Sequence, residues 1–199
     1  MGEIYEGVKF QTVFLGNQIP KDNRLIQMKR WAGIFAERNL APSYETGSAG
    51  NLSFRIEKGS NQFVITGSGI ELKNSIGDDS FVTVSDCDLE KGIVYANGTR
   101  EPSSESRLHY AIYKQRPYVQ AVFHGHCKEI LMAAEKLMIP ETLKYESYGT
   151  MELINSVTEI LGKESFIIMK DHGFISIAGT IAEAGYLTLR VHNETKKVL

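Results

Sequence analysis

Val119-Gln120-Ala121-Val122-Phe123-His124-Gly125-His126 is a buried-type apolar strand that runs straight into two histidines. Side chains two apart on a strand project from the same face, so both imidazoles can reach one point, and the glycine between them leaves no bulk on the other face. That is metal-ligand geometry, although a lone His-x-His pair also occurs by chance on surface strands.

Working outward, the residues after Pro102 read as a helix, with Ser103 as N-cap and Leu108, Ile112 and Tyr113 on one face up to Pro117. Beyond the histidines, helices are expected from about Lys128 to Leu137 and from about Thr150 to Leu161. A strand pair follows, Phe166 to Met169 and Phe174 to Ile177, and the last helix opens with Thr180 and Glu183 at capping-box spacing. Towards the start, residues 1–20 carry no clear period. Pro20 and Asp22-Asn23 mark a helix start, with Leu25, Met28, Trp31, Ala32 and Phe35 at helical spacing and an end near Asn39-Leu40. Residues 41–50 form a loop, after which Leu52, Phe54 and Ile56 alternate with polar partners as a half-buried strand does. Lys58-Gly59-Ser60-Asn61 turns this strand back into Phe63 to Thr66, which leads to Gly67-Ser68-Gly69. Phe81 to Val84 and Ile93 to Tyr95 are further short strands, and Asn97-Gly98 is a type I′ turn signal. The expectation is one α+β domain over residues 1–199, a mainly antiparallel sheet with helices packed on it.

Composition narrows the function classes. The 199 residues carry 22 Lys+Arg against 24 Asp+Glu, with 42% hydrophobic and 23% charged residues, so neither disorder nor a disulfide scaffold is expected. The most basic patch is Lys196-Lys197, which argues against nucleic acid as a partner. No apolar run approaches the roughly 18–20 residues of a spanning helix, and Met1 to Lys9 lacks the pattern of a secretion signal. A cytoplasmic protein with no membrane partner is expected. Cys87 and Cys127 match no cysteine-based zinc spacing.

A third histidine, His172 in Lys170-Asp171-His172-Gly173, lies at a turn between two apolar strands. Three histidines at strand ends facing one cavity would form a catalytic zinc-type site with an open position, while Asp-His-Gly also reads as an ordinary polar turn. Of the others, His109 and His192 lie in helices and read as structural. Glu105, in the first turn of its helix, is the acid/base candidate, since the positive helix end favours its ionised form; acidic residues also stand there merely as dipole partners. Gly50-Asn51-Leu52-Ser53, Thr66-Gly67-Ser68-Gly69 and Pro102-Ser103-Ser104 could cradle an anion through backbone N–H groups and hydroxyls, although each alone is as readily a turn. Neither a P-loop nor a Rossmann glycine pattern is present.

Taken in order, Gly50-Asn51-Leu52-Ser53, Thr66-Gly67-Ser68-Gly69, Pro102-Ser103-Ser104-Glu105, His124-Gly125-His126 and Asp171-His172-Gly173 resemble the motif series of the class II aldolase/adducin family, nearest its fuculose-1-phosphate aldolases. The resemblance spans roughly residues 24–195. It implies a three-layer α/β/α fold and one zinc ion per chain held by His124, His126 and His172. Glu105 would be a ligand in the resting site and an acid/base once substrate displaces it. Histidine ligands suit other divalent transition metals as well. Asn51, Ser68, Gly69, Ser103 and Ser104 would hold the phosphate of a phosphorylated sugar, and Tyr145, with Tyr148 as the other candidate, would be the second catalytic group. The implied reaction cleaves a ketose 1-phosphate such as L-fuculose 1-phosphate into dihydroxyacetone phosphate and an aldehyde through a zinc-stabilised enediolate. A homotetramer of C4 symmetry with the site at a subunit interface is also implied.

The chain departs from the fuculose type in a shorter stretch between His126 and the helix near residue 150, and in ending at Leu199 without a further tail. Both departures bear on which substrate is taken. A dehydratase resembling methylthioribulose-1-phosphate dehydratase would use a similar site, and an adducin-like interaction module would keep the fold without catalysis.

Overall fold

The computed structural model of the chain describes residues 6–73 and 75–199; residues 1–5, within the stretch read above for a secretion signal, lie outside these. In chain order the elements are β1 (Gln11–Gly16), α1 (Leu25–Glu37), β2 (Ser43–Tyr44), β3 (Gly47–Ser48), β4 (Gly50–Arg55), β5 (Phe63–Thr66), β6 (Phe81–Asp88), β7 (Ile93–Asn97), α2 (Ser106–Gln115), β8 (Ala121–Gly125), α3 (Lys128–Ala133), α4 (Met151–Leu161), β9 (Phe166–Met169), β10 (Gly173–Ala178) and α5 (Ile181–Val198). Eight of the strands make one sheet in the order β1-β7-β6-β5-β4-β8-β10-β9, and β2 and β3 form a separate small hairpin. Every pairing in the large sheet is antiparallel except that of β1 with β7.

Side chains alternate between the faces of this sheet, and each face has its own apolar core. On one face Leu52, Phe54, Phe123 and Phe174 pack with residues of α1, α3 and α5, among them Met28, Trp31, Ile130 and Ala184. On the other, Phe63, Ile65, Val122 and Ile175 pack with Leu108 and Ile112 of α2 and Leu153 and Val157 of α4. This is the three-layer α/β/α arrangement. Thr180 caps α5 by accepting from the Glu183 N–H at 3.1 Å, and Thr150 caps α4 by accepting from Leu153 N–H at 3.2 Å.

Several sequence expectations change. The stretch before residue 20 contains β1, an edge strand half open to solvent, so no alternation marks it. The 41–50 loop folds into the β2–β3 hairpin. Asn97-Gly98 is not the turn of a hairpin: β6 and β7 are joined through residues 89–92, with Gly92 in the left-handed region at φ 65°. The helix after Pro102 starts at Ser106, because Ser103 to Ser106 forms a turn of its own in which the Ser106 N–H donates to the Ser103 carbonyl at 2.9 Å. The helix after His126 ends at Ala133 rather than near Leu137, in turns that close at Met138, whose φ is 51°. Strand β4 is not half-buried, since the face carrying Asn51, Ser53 and Arg55 lies under α2 and all three are buried.

Candidate metal centre and its cavity

The pairing of β4, β8 and β10 brings the candidate site together at one end of the sheet. His124 lies opposite Asn51 on β4 and Ile175 on β10, and its ring shares the α2 face with Val122. His126, two residues on, turns its Nε2 to 3.0 Å from His124 Nε2. A side chain at Gly125 would meet the Leu40 carbonyl oxygen at 2.3 Å and the Phe174 ring at 2.7 Å, which is why the residue between the histidines has none. His172 arrives from the β9–β10 turn, where Asp171 adopts φ 53° and the His172 N–H donates to the Met169 carbonyl at 3.0 Å. A Cβ on the next residue, Gly173, would sit 2.7 Å from the His124 ring and 3.0 Å from that of His126. This glycine holds room for the cluster; the Asp-His-Gly turn was its only mark in the sequence.

Ligand atoms of His124, His126 and His172 all lie within 4.8 Å of one another. Glu105 joins them, with Oε2 2.9 Å from His124 Nε2 and Oε1 3.2 Å from His172 Nε2. The Phe174 carbonyl can only accept, so the 2.9 Å contact with His124 Nδ1 makes that nitrogen the protonated one and turns Nε2 towards the cluster. There Nε2 faces a carboxylate oxygen and a second imidazole nitrogen at once, a convergence that calls for a proton or a metal ion between them. Nitrogen ligands about 2.0–2.1 Å from a tetrahedral zinc stand about 3.3 Å apart, close to the separation of the first two histidines. The donor set therefore fits a zinc-class ion.

Burial and charge act on these groups in opposite senses. Burial pushes the Glu105 carboxyl up, but the charge and hydrogen bond of His124, and then those of His172, outweigh it and hold the group well below the usual carboxylate range. Burial, with the charges of His124 and His172, holds His126 well below the usual histidine range, hence neutral as a metal ligand must be. His109, also fully enclosed, is pushed down to about 3 by burial.

The centre opens into a cavity of about 650 Å³ lined by every site residue named from the sequence: Asn51, Ser68, Gly69, Ser103, Ser104, Glu105, the three histidines and Tyr145, with Tyr148 beside them. Two of the small-residue segments are clamped to each other, since Gly67 bridges Pro102 and the Ser68 N–H donates to the Glu101 carbonyl at 2.9 Å. Gly69 turns there with φ 68°. Asn51 sits deeper, and its Nδ2 donates to Glu105 Oε2 at 3.0 Å, so that amide faces the carboxylate. Tyr145 is 42% exposed at the rim, whereas Tyr148 is buried, accepting from the Glu6 N–H at 2.8 Å with Lys9 Nζ 3.8 Å above its ring. Tyr44 and Ile70, which the sequence did not single out, also line the cavity.

The fold is of the class II aldolase type. Residues 35–196 match the class II aldolase and adducin N-terminal domain family, and the chain belongs to it. The L-fuculose phosphate aldolase of Methanococcus maripaludis strain S2 is 30% identical over 172 residues, covering 78% of this chain and 86% of that protein. A 5-methylthioribulose-1-phosphate/5-deoxyribulose-1-phosphate aldolase of Escherichia coli is 28% identical over 162 residues, covering 74% of this chain and 71% of its own. Among solved structures an L-fuculose 1-phosphate aldolase superposes with a TM-score of 0.71 over 88% of this chain and 85% of that one, at 23% identity, which speaks for the fold. Among the described residues no helix is long and apolar enough to cross a membrane.

Proposed function

We propose that the protein is a metal-dependent aldolase that cleaves a ketose 1-phosphate into dihydroxyacetone phosphate and an aldehyde. The observation that carries this reading is the buried Glu105 carboxylate set between His124 and His172 at the floor of a cavity whose walls carry the hydroxyls of Ser68, Ser103 and Ser104. His124, His126 and His172 would hold the ion, with Glu105 as a further ligand in the resting site. A zinc-class ion bound there supplies Lewis-acid polarisation of a carbonyl oxygen and steadies the negative charge that builds on it.

The chain's own groups do the rest. Ser68, Gly69, Ser103 and Ser104 bind the phosphate, with Asn51 at the inner end of the same wall. Glu105, oriented by the Asn51 amide, exchanges the proton at the carbon that belongs to the three-carbon product: ionised, it can remove that proton in the condensation direction, and in cleavage it delivers there the equivalent of the proton that the substrate hydroxyl gives up. Tyr145, at the exposed rim where the aldehyde must leave, exchanges the proton of the hydroxyl next to the breaking bond. The names of the relatives point to L-fuculose 1-phosphate and to 5-deoxy or 5-methylthio pentulose 1-phosphates as substrates to try first. A homotetramer is the proposed working assembly.

The test is metal content by plasma mass spectrometry on protein purified without a histidine tag, followed by an assay for dihydroxyacetone phosphate. About one zinc-class ion per chain, lost in His124→Ala, together with release of dihydroxyacetone phosphate from one of these ketoses, supports the proposal. A dehydrated product with its carbon chain intact would replace it with the dehydratase reading. A folded protein that takes up no metal would replace it with an interaction module.

A further inference from the structure

Strand β4 carries polar residues on a face that is wholly covered by α2. Asn51, Ser53 and Arg55 are all buried, Ser53 and Arg55 with no measurable exposure, in a layer otherwise filled by Phe63, Ile65, Leu108 and Ile112. Buried polar groups on a central strand are destabilising unless each finds a partner.

Each finds one on the same helix. Asn51 Nδ2 donates to Glu105 at 3.0 Å, Ser53 Oγ lies 2.7 Å from His109 Nδ1, and Arg55 Nη2 donates to the Tyr113 carbonyl at 2.7 Å. The rungs run 51 to 105, 53 to 109 and 55 to 113, two residues per step on the strand and four on the helix. Two strand residues advance about 6.6–6.8 Å and four helical residues about 6.0 Å, so helix and strand keep step over this length. The outer rungs interlock, because Tyr113 OH also lies 2.8 Å from Ser53 Oγ and the Arg55 guanidinium lies 4.7 Å from the centre of the Tyr113 ring. Arg55 further donates to the carbonyls of Val119, at 2.7 Å, and of Ser60 and Arg116. Glu105 stands at the N-cap position of α2, and its side chain makes no cap bond. The height of α2 over β4 thus fixes where its carboxylate falls between His124 and His172.

We infer that His109 and Ser53 are positioning residues for Glu105, the middle rung of a buried polar ladder that sets the catalytic carboxylate against the histidines. An apolar contact would hold α2 down as firmly but would let it slide, since hydrophobic packing is non-directional and a hydrogen bond is not. The inference rests on the role proposed for Glu105, and its test separates the two.

The test uses cobalt(II) as the probe, in wild type, Glu105→Gln, His109→Leu and His109→Asn, with the visible absorption of the bound ion, the cobalt affinity and kcat and KM as readouts. Asn at 109 keeps a polar atom near the place of Nδ1. The expectation for His109→Leu is a cobalt spectrum shifted towards that of Glu105→Gln and a kcat reduced at least tenfold with KM little changed, and for His109→Asn recovery of most of both. If His109→Leu does not fold, Ser53→Ala removes the same rung by deleting one oxygen and takes its place. A His109→Leu protein with the wild-type spectrum and kcat and only a lower melting temperature would overturn the inference, as would equal losses in the Leu and Asn variants at equal stability. If wild type binds cobalt yet cleaves no ketose 1-phosphate, the proposed activity fails and the spectra still decide the ladder.

Discussion

The two faces of β4 solve burial in opposite ways. Leu52 and Phe54 enter the core shared with α1 and α5, where they gain from being out of water whatever their exact neighbours. Asn51, Ser53 and Arg55, on the α2 side, are accommodated only through particular partners at particular distances. One face supplies stability; the other supplies position at the cost of some stability, and the candidate carboxylate hangs from it.

Four measurements would break or sharpen that contrast. The largest effect belongs to Glu105→Gln, expected to lower kcat on a competent ketose 1-phosphate by about 10²–10⁴-fold while the melting temperature holds, checked by steady-state kinetics beside a thermal melt. Next comes a matched pair. Phe54→Ala should cost about 3–5 kcal/mol in urea unfolding and leave kcat per folded molecule unchanged, while Arg55→Met, which strips the partner from buried carbonyls, should cost about as much and lower kcat as well. Equal kinetic consequences for the two would erase the distinction between the faces.

A smaller effect is read with pH. His109 is pushed down to about 3 in the fold, against a free value near 6.5, so the unfolded chain binds the extra proton between those values. Stability from this group is full above about pH 6.5 and is lost as the pH falls towards 3, on the order of 3 kcal/mol by pH 4. Urea midpoints from pH 7 to 4 should therefore fall less steeply in His109→Asn than in wild type; parallel curves would deny the buried neutral state. The smallest effect is Thr180→Ala, which removes the cap of α5 on the apolar side and should cost about 1 kcal/mol with the cobalt spectrum and kcat unmoved.

How much of this was legible in the sequence follows the same divide. His124 and His126 stand out because period-two spacing with a glycine between is a local signal, His172 because its Asp-His-Gly turn is, and α1, α4 and α5 because apolar periodicity and, for α5, a threonine cap are local as well. Strand β1 hid because it lies at an edge and draws its pairing from β7, some 80 residues on. The polar face of β4 was read as facing solvent, the ordinary meaning of alternation, since nothing in residues 50–55 announces that a helix beginning at Ser106 will cover them. His109 was set aside as structural for the same reason: its partner lies 56 residues away.

The strand order carries a kinetic corollary. Strand β4 does not rest only against its hairpin partner β5; its other edge is closed by β8, whose Val122 lies opposite Ser53 across a sequence separation of 69 residues. Such a closure comes late, because the chain entropy of joining distant segments must be overcome before their contacts reward it. Until it happens His124 has no Asn51 beside it. A refolding chain would then regain secondary structure first and its cobalt colour last, so the spectrum would mark the moment at which the central strands close.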